Sequence, residues 1–216
     1  MNMEQARHYM IEQQIRPWDV LDPRVLELLH VVRREQFVPA DSKALTFVDT
    51  EIPLGHGASM WQPKLEARAV QALKLQPTDS VLEIGTGSGH LTALLARLAA
   101  QVTSVEIEPE LSTQASRHLA THNIDNVTLQ VGDAAQGWGE AEYDAIVLTA
   151  SVPVLPEAFK QQLKVGGRLF AIVGDAPAMQ AQRVTRTSAD TFETEVLFET
   201  VVSPLRNAPQ PQRFVF

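Results

Sequence analysis

The run Val81-Leu82-Glu83-Ile84-Gly85-Thr86-Gly87-Ser88-Gly89-His90 sets glycines at alternate positions directly after a short apolar segment. Gly85 and Gly87 reach backbone conformations closed to other residues and let a ligand approach the main chain. A helix after such a turn presents free N–H groups to that ligand. A dinucleotide fingerprint needs its third glycine at position 90, where His90 stands instead. Glu83, just before the turn, repels a pyrophosphate but suits an ammonium group. Glu106-Ile107 ends a second apolar run about 20 residues beyond the turn, where a carboxylate accepts both ribose hydroxyls. Gly132-Asp133-Ala134 follows a third run, where the Asp carboxylate accepts from an adenine amino group. Adenine, ribose and an ammonium-bearing arm together describe S-adenosylmethionine. The predicted pocket for it comprises Glu83, Gly85, Thr86, Gly87, Ser88, Glu106, Ile107, Asp133 and Ala134.

Regular alternation of strands and helices has to position these residues. Val81–Ile84, Val102–Ile107, Val127–Val131, Tyr143–Leu148 and Arg168–Val173 read as strands, the last entered by a turn at Gly166-Gly167. Leu91–Leu98, Pro109–Thr121 and Pro156–Leu163 read as the helices between them. Such alternation predicts an α/β, Rossmann-like fold, a mostly parallel seven-stranded sheet with helices on both faces; taken with the S-adenosylmethionine pocket it is expected to be a methyltransferase fold. Arg183–Thr187 and Phe192–Val202, around Ser188-Ala189-Asp190, predict an antiparallel hairpin at the C-terminal edge. Before residue 80 the pattern differs. Met3–Ile15 has helical spacing, and Asp22-Pro23 caps a second helix. The prolines and glycines of 37–63 favour a structured loop. Residues 1–216 are therefore taken as one domain, with N-terminal helices and a loop over 1–79 and the core over 80–216.

Composition narrows the function classes. Apolar residues make up 44% and charged residues 20% of the 216, as in ordinary globular chains. A net charge of −8, with the charges interspersed, argues against nucleic acid or an anionic membrane as partner. The chain has no cysteine, which removes disulfides, thiolate metal sites and a cysteine nucleophile. No metal site is expected: His118 and His122 share a helical face, read as solvated, without the Glu of a zinc motif. No apolar secretory segment opens the chain and no run is long enough to span a bilayer, so a cytoplasmic protein is expected.

Several segments together resemble the protein-L-isoaspartate O-methyltransferases. They are Leu82–Leu91, Arg34–Val38, Ile52–Pro63, Gly132-Asp133, Gly137-Trp138, Tyr143–Ala150, Gly166–Leu169 and Val173-Gly174, collinear over nearly the whole chain. The resemblance implies methylation of the α-carboxylate of isoaspartyl residues in damaged peptides or proteins, by a cytosolic monomer using S-adenosylmethionine. It also implies an acceptor site at Ser59, Trp61 and Asp49. The family's loop usually reads Thr-x-Ser-Gln-Pro; here it is Ser59-Met60-Trp61-Gln62-Pro63, so Trp61 stands where the family has a serine. The family's Gly-Asp-Gly is Gly132-Asp133-Ala134 in this chain, and His90 stands where the family carries an aromatic residue.

A carboxylate acceptor with a pKa of about 3–4 is ionised at neutral pH and needs no general base. Catalysis then rests on holding oxygen and methyl in a near-attack geometry. Trp61 leaves two alternatives open: transfer to a different small-molecule acceptor, for which His56 is the first candidate base, or cofactor binding without turnover. His56 reads more simply as a loop histidine bonded to backbone, and Trp138 as core packing.

Overall fold

Asn2 and Asp22 open the first two helices by the same device. The Asn2 side chain accepts from the Gln5 N–H at 2.8 Å and Asp22 from the Arg24 N–H at 2.9 Å, satisfying donors that a helix start leaves free. In the computed structural model, which describes residues 2–211, these caps start α1 (Met3–Met10) and α2 (Pro23–Val31). α1 runs on through a π turn over Ile11–Ile15, so the predicted helix is present with a wider last turn.

The segment 37–63 is more regular than its prolines and glycines suggest. It contains an antiparallel hairpin, β1 (Ile52–Gly55) and β2 (Ala58–Met60), which leads into a helix the sequence pattern did not single out, α3 (Pro63–Leu73). Gly55, His56 and Gly57 all have positive φ. The residues that discourage longer elements thus supply the tight turn a hairpin requires. Pro63 starts α3 at no hydrogen-bond cost, and the helix buries Leu65, Ala67, Ala69, Val70 and Leu73.

The remaining elements alternate as expected: β3 (Ser80–Ile84), α4 (His90–Ala96), β4 (Gln101–Glu106), α5 (Pro109–Thr121), β5 (Val127–Val131), β6 (Tyr143–Val152), α6 (Glu157–Gln161), β7 (Leu163–Asp175), β8 (Ala178–Arg186) and β9 (Phe192–Thr200). They form a seven-stranded sheet in the order β5-β4-β3-β6-β7-β8-β9. β3 to β7 are parallel; β8 and β9 are antiparallel and close one edge. Gly166-Gly167 does not precede β7 but lies within it, where the register against β6 slips between Leu163 and Arg168.

Side chains alternate across each strand and so feed two cores. Val81, Ala145, Val147, Phe170 and Ile172 face a cluster shared with Ile11, Leu29, Leu65 and Leu94. Leu82, Ile84, Ile146, Leu148, Leu169 and Ala171 face a second cluster with Phe159 of α6. The N-terminal helices are thus built into the same core as one face of the sheet. β3 has β4 on one side and β6 on the other, so the strand order reverses at its end. Ligands collect at such a switch point in open α/β sheets, and the Gly85–Gly89 turn stands there. Among the described residues no helix is long and apolar enough to cross a membrane, and no cluster of three metal-ligating side chains occurs.

Candidate active site

The end of β3 delivers the glycine turn to a cavity at the carboxyl ends of the strands. The Gly85 N–H donates to the Val105 carbonyl at 2.8 Å, which extends the β3–β4 ladder into the turn. Gly85 has φ +97°, and a Cβ there would lie 2.2 Å from Thr149 Oγ1. Only glycine fits. The Thr149 hydroxyl stands 2.8 Å from both the Ile84 and Gly85 carbonyls, ready to donate to either. Beneath the turn, the Thr86 and Ser104 hydroxyls are hydrogen-bonded at 2.6 Å.

Glu106, at the end of β4, reaches across to the turn. Its Oε2 accepts from the Gly87 N–H at 2.8 Å and its Oε1 from the Glu108 N–H at 3.1 Å. A carboxylate has about four acceptor positions, so each oxygen keeps capacity for a hydroxyl in the cavity. At the end of β5, Asp133 Oδ1 accepts from the Ala135 N–H at 3.0 Å and Oδ2 from the Asn207 amide at 2.8 Å. Gly132 carries no side chain because a Cβ would sit 2.5 Å from Trp138 Cη2. Gly85, Thr86, Gly87, Ser88, Glu106, Ile107, Asp133 and Ala134 all line the cavity.

Glu83 does not. Alternation along β3 turns its side chain the same way as Val81, beneath the turn and under α4. There Oε2 accepts from Thr92 at 2.5 Å and Ser104 at 2.6 Å, while Oε1 has no partner. Burial is the main influence on this carboxyl and pushes it up to about 8; the two hydroxyls oppose the shift, and Glu106 and Glu66 reinforce it. The expected contact between Glu83 and an ammonium group is corrected accordingly: Glu83 is a neutral brace for the turn at pH 7, off the cavity wall.

The opposite wall comes from the β1–β2 hairpin and the residues around it. Ser59 and Trp61 line the cavity, with Leu54, Met60 and Glu51. Trp61 is only 5% exposed, and its ring meets Phe170 edge-on at 6.3 Å, so its indole belongs largely to the core. Arg34 fixes its backbone: Nη2 donates to the Trp61 carbonyl at 2.5 Å and Nε to the Thr46 carbonyl at 3.1 Å. Arg34 also pairs with Glu66, whose Oε2 accepts from His90 Nδ1 at 2.8 Å. Burial pushes Glu66 up, but the charges of Arg34 and His90 outweigh it and hold the carboxyl below its usual range. A buried charged chain therefore ties the Trp61 loop to the helix that follows the glycine turn. His90 stacks edge-on to Phe37 at 5.2 Å, which fits its place at an otherwise aromatic position.

Asp49 sits apart from this wall. It pairs with Lys64 Nζ at 2.6 Å, and Lys64 in turn lies 3.9 Å over the Trp18 ring. His56 is likewise outside the lining, with Nε2 2.9 Å from Glu110. His118 and His122 are not a solvated face: both rings pack edge-on against Phe37, and His118 Nδ1 donates to the Ser88 carbonyl at 2.8 Å.

Sequence reasoning missed Thr149, Glu51, Glu66 and the segment after β9. Thr149 follows the fourth apolar run, and the strand-end rule that located Glu106 would have located it too. The C-terminal segment carried no such signal. Ser203 and Pro204 run beside Ser151, with the Ser151 N–H donating to the Ser203 carbonyl at 3.0 Å and the Leu205 N–H to the Ser151 carbonyl at 2.7 Å. Arg206 then bridges Glu108 and the His56 carbonyl, closing the cavity between the hairpin and α5.

The sheet order, the glycine turn and the two strand-end carboxylates define an S-adenosylmethionine-dependent methyltransferase fold. The model of the protein-L-isoaspartate(D-aspartate) O-methyltransferase family matches residues 5–209, and the chain belongs to that family. It is 42% identical over 201 residues to protein-L-isoaspartate O-methyltransferase 1 of Rhodopseudomonas palustris (strain HaA2), covering 92% of this chain and 82% of that relative. It is 40% identical over 193 residues to the protein-L-isoaspartate O-methyltransferase of Anaeromyxobacter dehalogenans, covering 88% and 92%. Its fold matches a Plasmodium falciparum structure described as a protein-L-isoaspartate O-methyltransferase in complex with S-adenosyl-L-homocysteine. The TM-score there is 0.78 at 19% identity, with 95% of this chain and 99% of that one covered.

Proposed function

We propose that this protein is an S-adenosylmethionine-dependent protein-L-isoaspartate O-methyltransferase, esterifying the α-carboxylate of isoaspartyl residues in damaged peptides and proteins. The observation that carries the reading is the family match over residues 5–209, on a chain whose glycine turn, Glu106 and Asp133 share one cavity with the Ser59–Trp61 loop.

The donor side suits the cofactor in its chemistry. Glu106 retains acceptor capacity for a ribose diol, and Asp133 for an adenine amino group. Ile84, Leu91, Val105, Ile107 and Leu205 provide an apolar wall. Gly85, Thr86, Gly87, Ser88 and Ala134 complete the set. When bound, S-adenosylmethionine supplies an electrophilic methyl group on a positively charged sulfur. No residue has to remove a proton, because the acceptor carboxylate, with a pKa of about 3–4, is already ionised. The protein's work is orientation and exclusion of water. Ser59 offers a hydroxyl to the acceptor, and Trp61, locked by Arg34 and Phe170, shapes the space beside it. Asp49, outside the lining, pairs with Lys64 and has no direct part in this reading. The reading carries with it a monomer in the cytoplasm, as is typical of the family.

The test is methyl transfer from labelled S-adenosylmethionine to an isoaspartyl peptide and to its normal aspartyl twin. A base-labile methyl ester on the isoaspartyl peptide alone is expected. Tight S-adenosylhomocysteine binding without any ester on that peptide would overturn the proposal.

A further inference from the structure

Glu51 is an acid on the cavity wall with nothing to answer its charge. It is partly buried and lines the cavity, and among the described residues no side chain or backbone group bonds to it. Its surroundings push the carboxyl above its usual range through burial alone, with no cation or donor opposing the shift. The other cavity carboxylates differ. Glu106 holds two backbone N–H groups, Asp133 holds Asn207, and Glu66 is matched by Arg34 and His90.

Its position follows from the hairpin register. Ile52 pairs with Met60 and Pro53 with Ser59, so Glu51 directly precedes and Trp61 directly follows the last pair of the ladder, and both line the cavity. That is the acceptor side, where the resemblance places the substrate contact. Among the described residues the lining contains one basic side chain, Arg206, and it is engaged by Glu108 and the His56 carbonyl. A carboxylate acceptor therefore enters a site where, among the described residues, Glu51 is the lining carboxylate with neither a cation nor a hydrogen-bond donor beside it. Like charges brought together in a partly desolvated site repel, and a cation carried by the same ligand relieves both.

We infer that Glu51 is a specificity residue selecting isoaspartyl peptides with a positive charge beside the isoaspartyl unit, either a neighbouring Lys or Arg or the free α-ammonium of an N-terminal isoaspartate. The inference rests on the isoaspartyl reading of the site and adds to it the charge of the accepted sequence.

The experiment measures kcat/KM for isoaspartyl peptides identical except for Lys, Gln or Glu next to the isoaspartyl residue. A further pair, with a free and an acetylated N-terminal isoaspartate, separates the two sources of cation. Wild type, Glu51→Gln and Glu51→Lys are compared, and S-adenosylhomocysteine affinity is measured for each by calorimetry. Wild type is expected to favour Lys over Glu by at least about tenfold, given the cost of juxtaposed like charges. The preference should collapse in Glu51→Gln and invert in Glu51→Lys, with S-adenosylhomocysteine affinity held in both. Equal rates for all flanks in wild type overturn the inference while leaving the isoaspartyl function standing. So does a loss of S-adenosylhomocysteine affinity in Glu51→Gln with the flank preference intact, which assigns Glu51 to the donor's ammonium. No ester on any isoaspartyl peptide overturns both.

Discussion

On the donor side of the cavity, Gly87 is held by Glu106, Gly85 abuts Thr149, and Thr86 bonds Ser104. All of these lie on or just beyond three neighbouring parallel strands. On the acceptor side, Trp61 is held by Arg34, Glu66 by His90, and the hairpin by Arg206. Those partners come from α-helical, loop and C-terminal segments far apart in the chain. One half is a consequence of sheet register, and the other of tertiary closure. The difference teaches where each half is vulnerable. A change at a strand end should alter cofactor binding locally, whereas a change in the buried charge chain should loosen the acceptor loop and the fold together.

The largest effect should come from Arg34→Met. It leaves buried Glu66 with His90 as its remaining partner and frees the Trp61 and Thr46 carbonyls. Breaking a buried pair costs about 3–5 kcal/mol, which for this size of protein lowers Tm by roughly 10 °C. S-adenosylhomocysteine affinity of the folded variant should hold while acceptor KM rises. An equal loss of both, read by calorimetry and kinetics, would break the division into halves.

Glu106→Gln tests the other half. Losing a charge-assisted hold on the turn and the diol should weaken S-adenosylhomocysteine by about 1.5–3 kcal/mol, roughly 10- to 100-fold, with acceptor KM little changed. A shift confined to acceptor KM would move Glu106 across the divide.

Glu83 distinguishes a brace from a ligand contact through pH. Its carboxyl is raised to about 8 from 4.5, so the native state holds the proton more tightly than the unfolded chain. The stability this provides is complete below 4.5 and is lost as pH rises through 8. Glu83→Gln lacks that loss, so its urea midpoint relative to wild type should climb between pH 5 and 9. Parallel midpoints would mean an ionised, compensated Glu83 and return it to the cofactor.

The smallest effect belongs to Asp49→Asn. The Asp49–Lys64 pair is partly exposed, and such pairs contribute under about 1 kcal/mol. Acceptor kcat/KM should change by less than about fivefold, the equivalent of that energy. A drop of an order of magnitude would extend the acceptor wall out to Asp49.

The sequence alone determined the sheet, the glycine turn and the placement of Glu106 and Asp133 at strand ends beside it. Strand periodicity and the strand-end rule act over a few residues, and parallel strands bring their carboxyl ends to one edge whatever the rest of the chain does. The same logic misplaced Glu83, since a strand-end acid faces the cavity or the helix above it according to alternation and to which neighbour, here Thr92, receives it. It also read His118 and His122 as solvated because nothing local announces that Phe37 packs between them. Glu51, Glu66 and Arg206 were beyond it for a related reason. Their roles depend on partners 24 to 150 positions away or, for Glu51, on having none. Only tertiary structure decided the acceptor half, because a buried charge is defined by what closes over it, and that closure is made by segments no local pattern links.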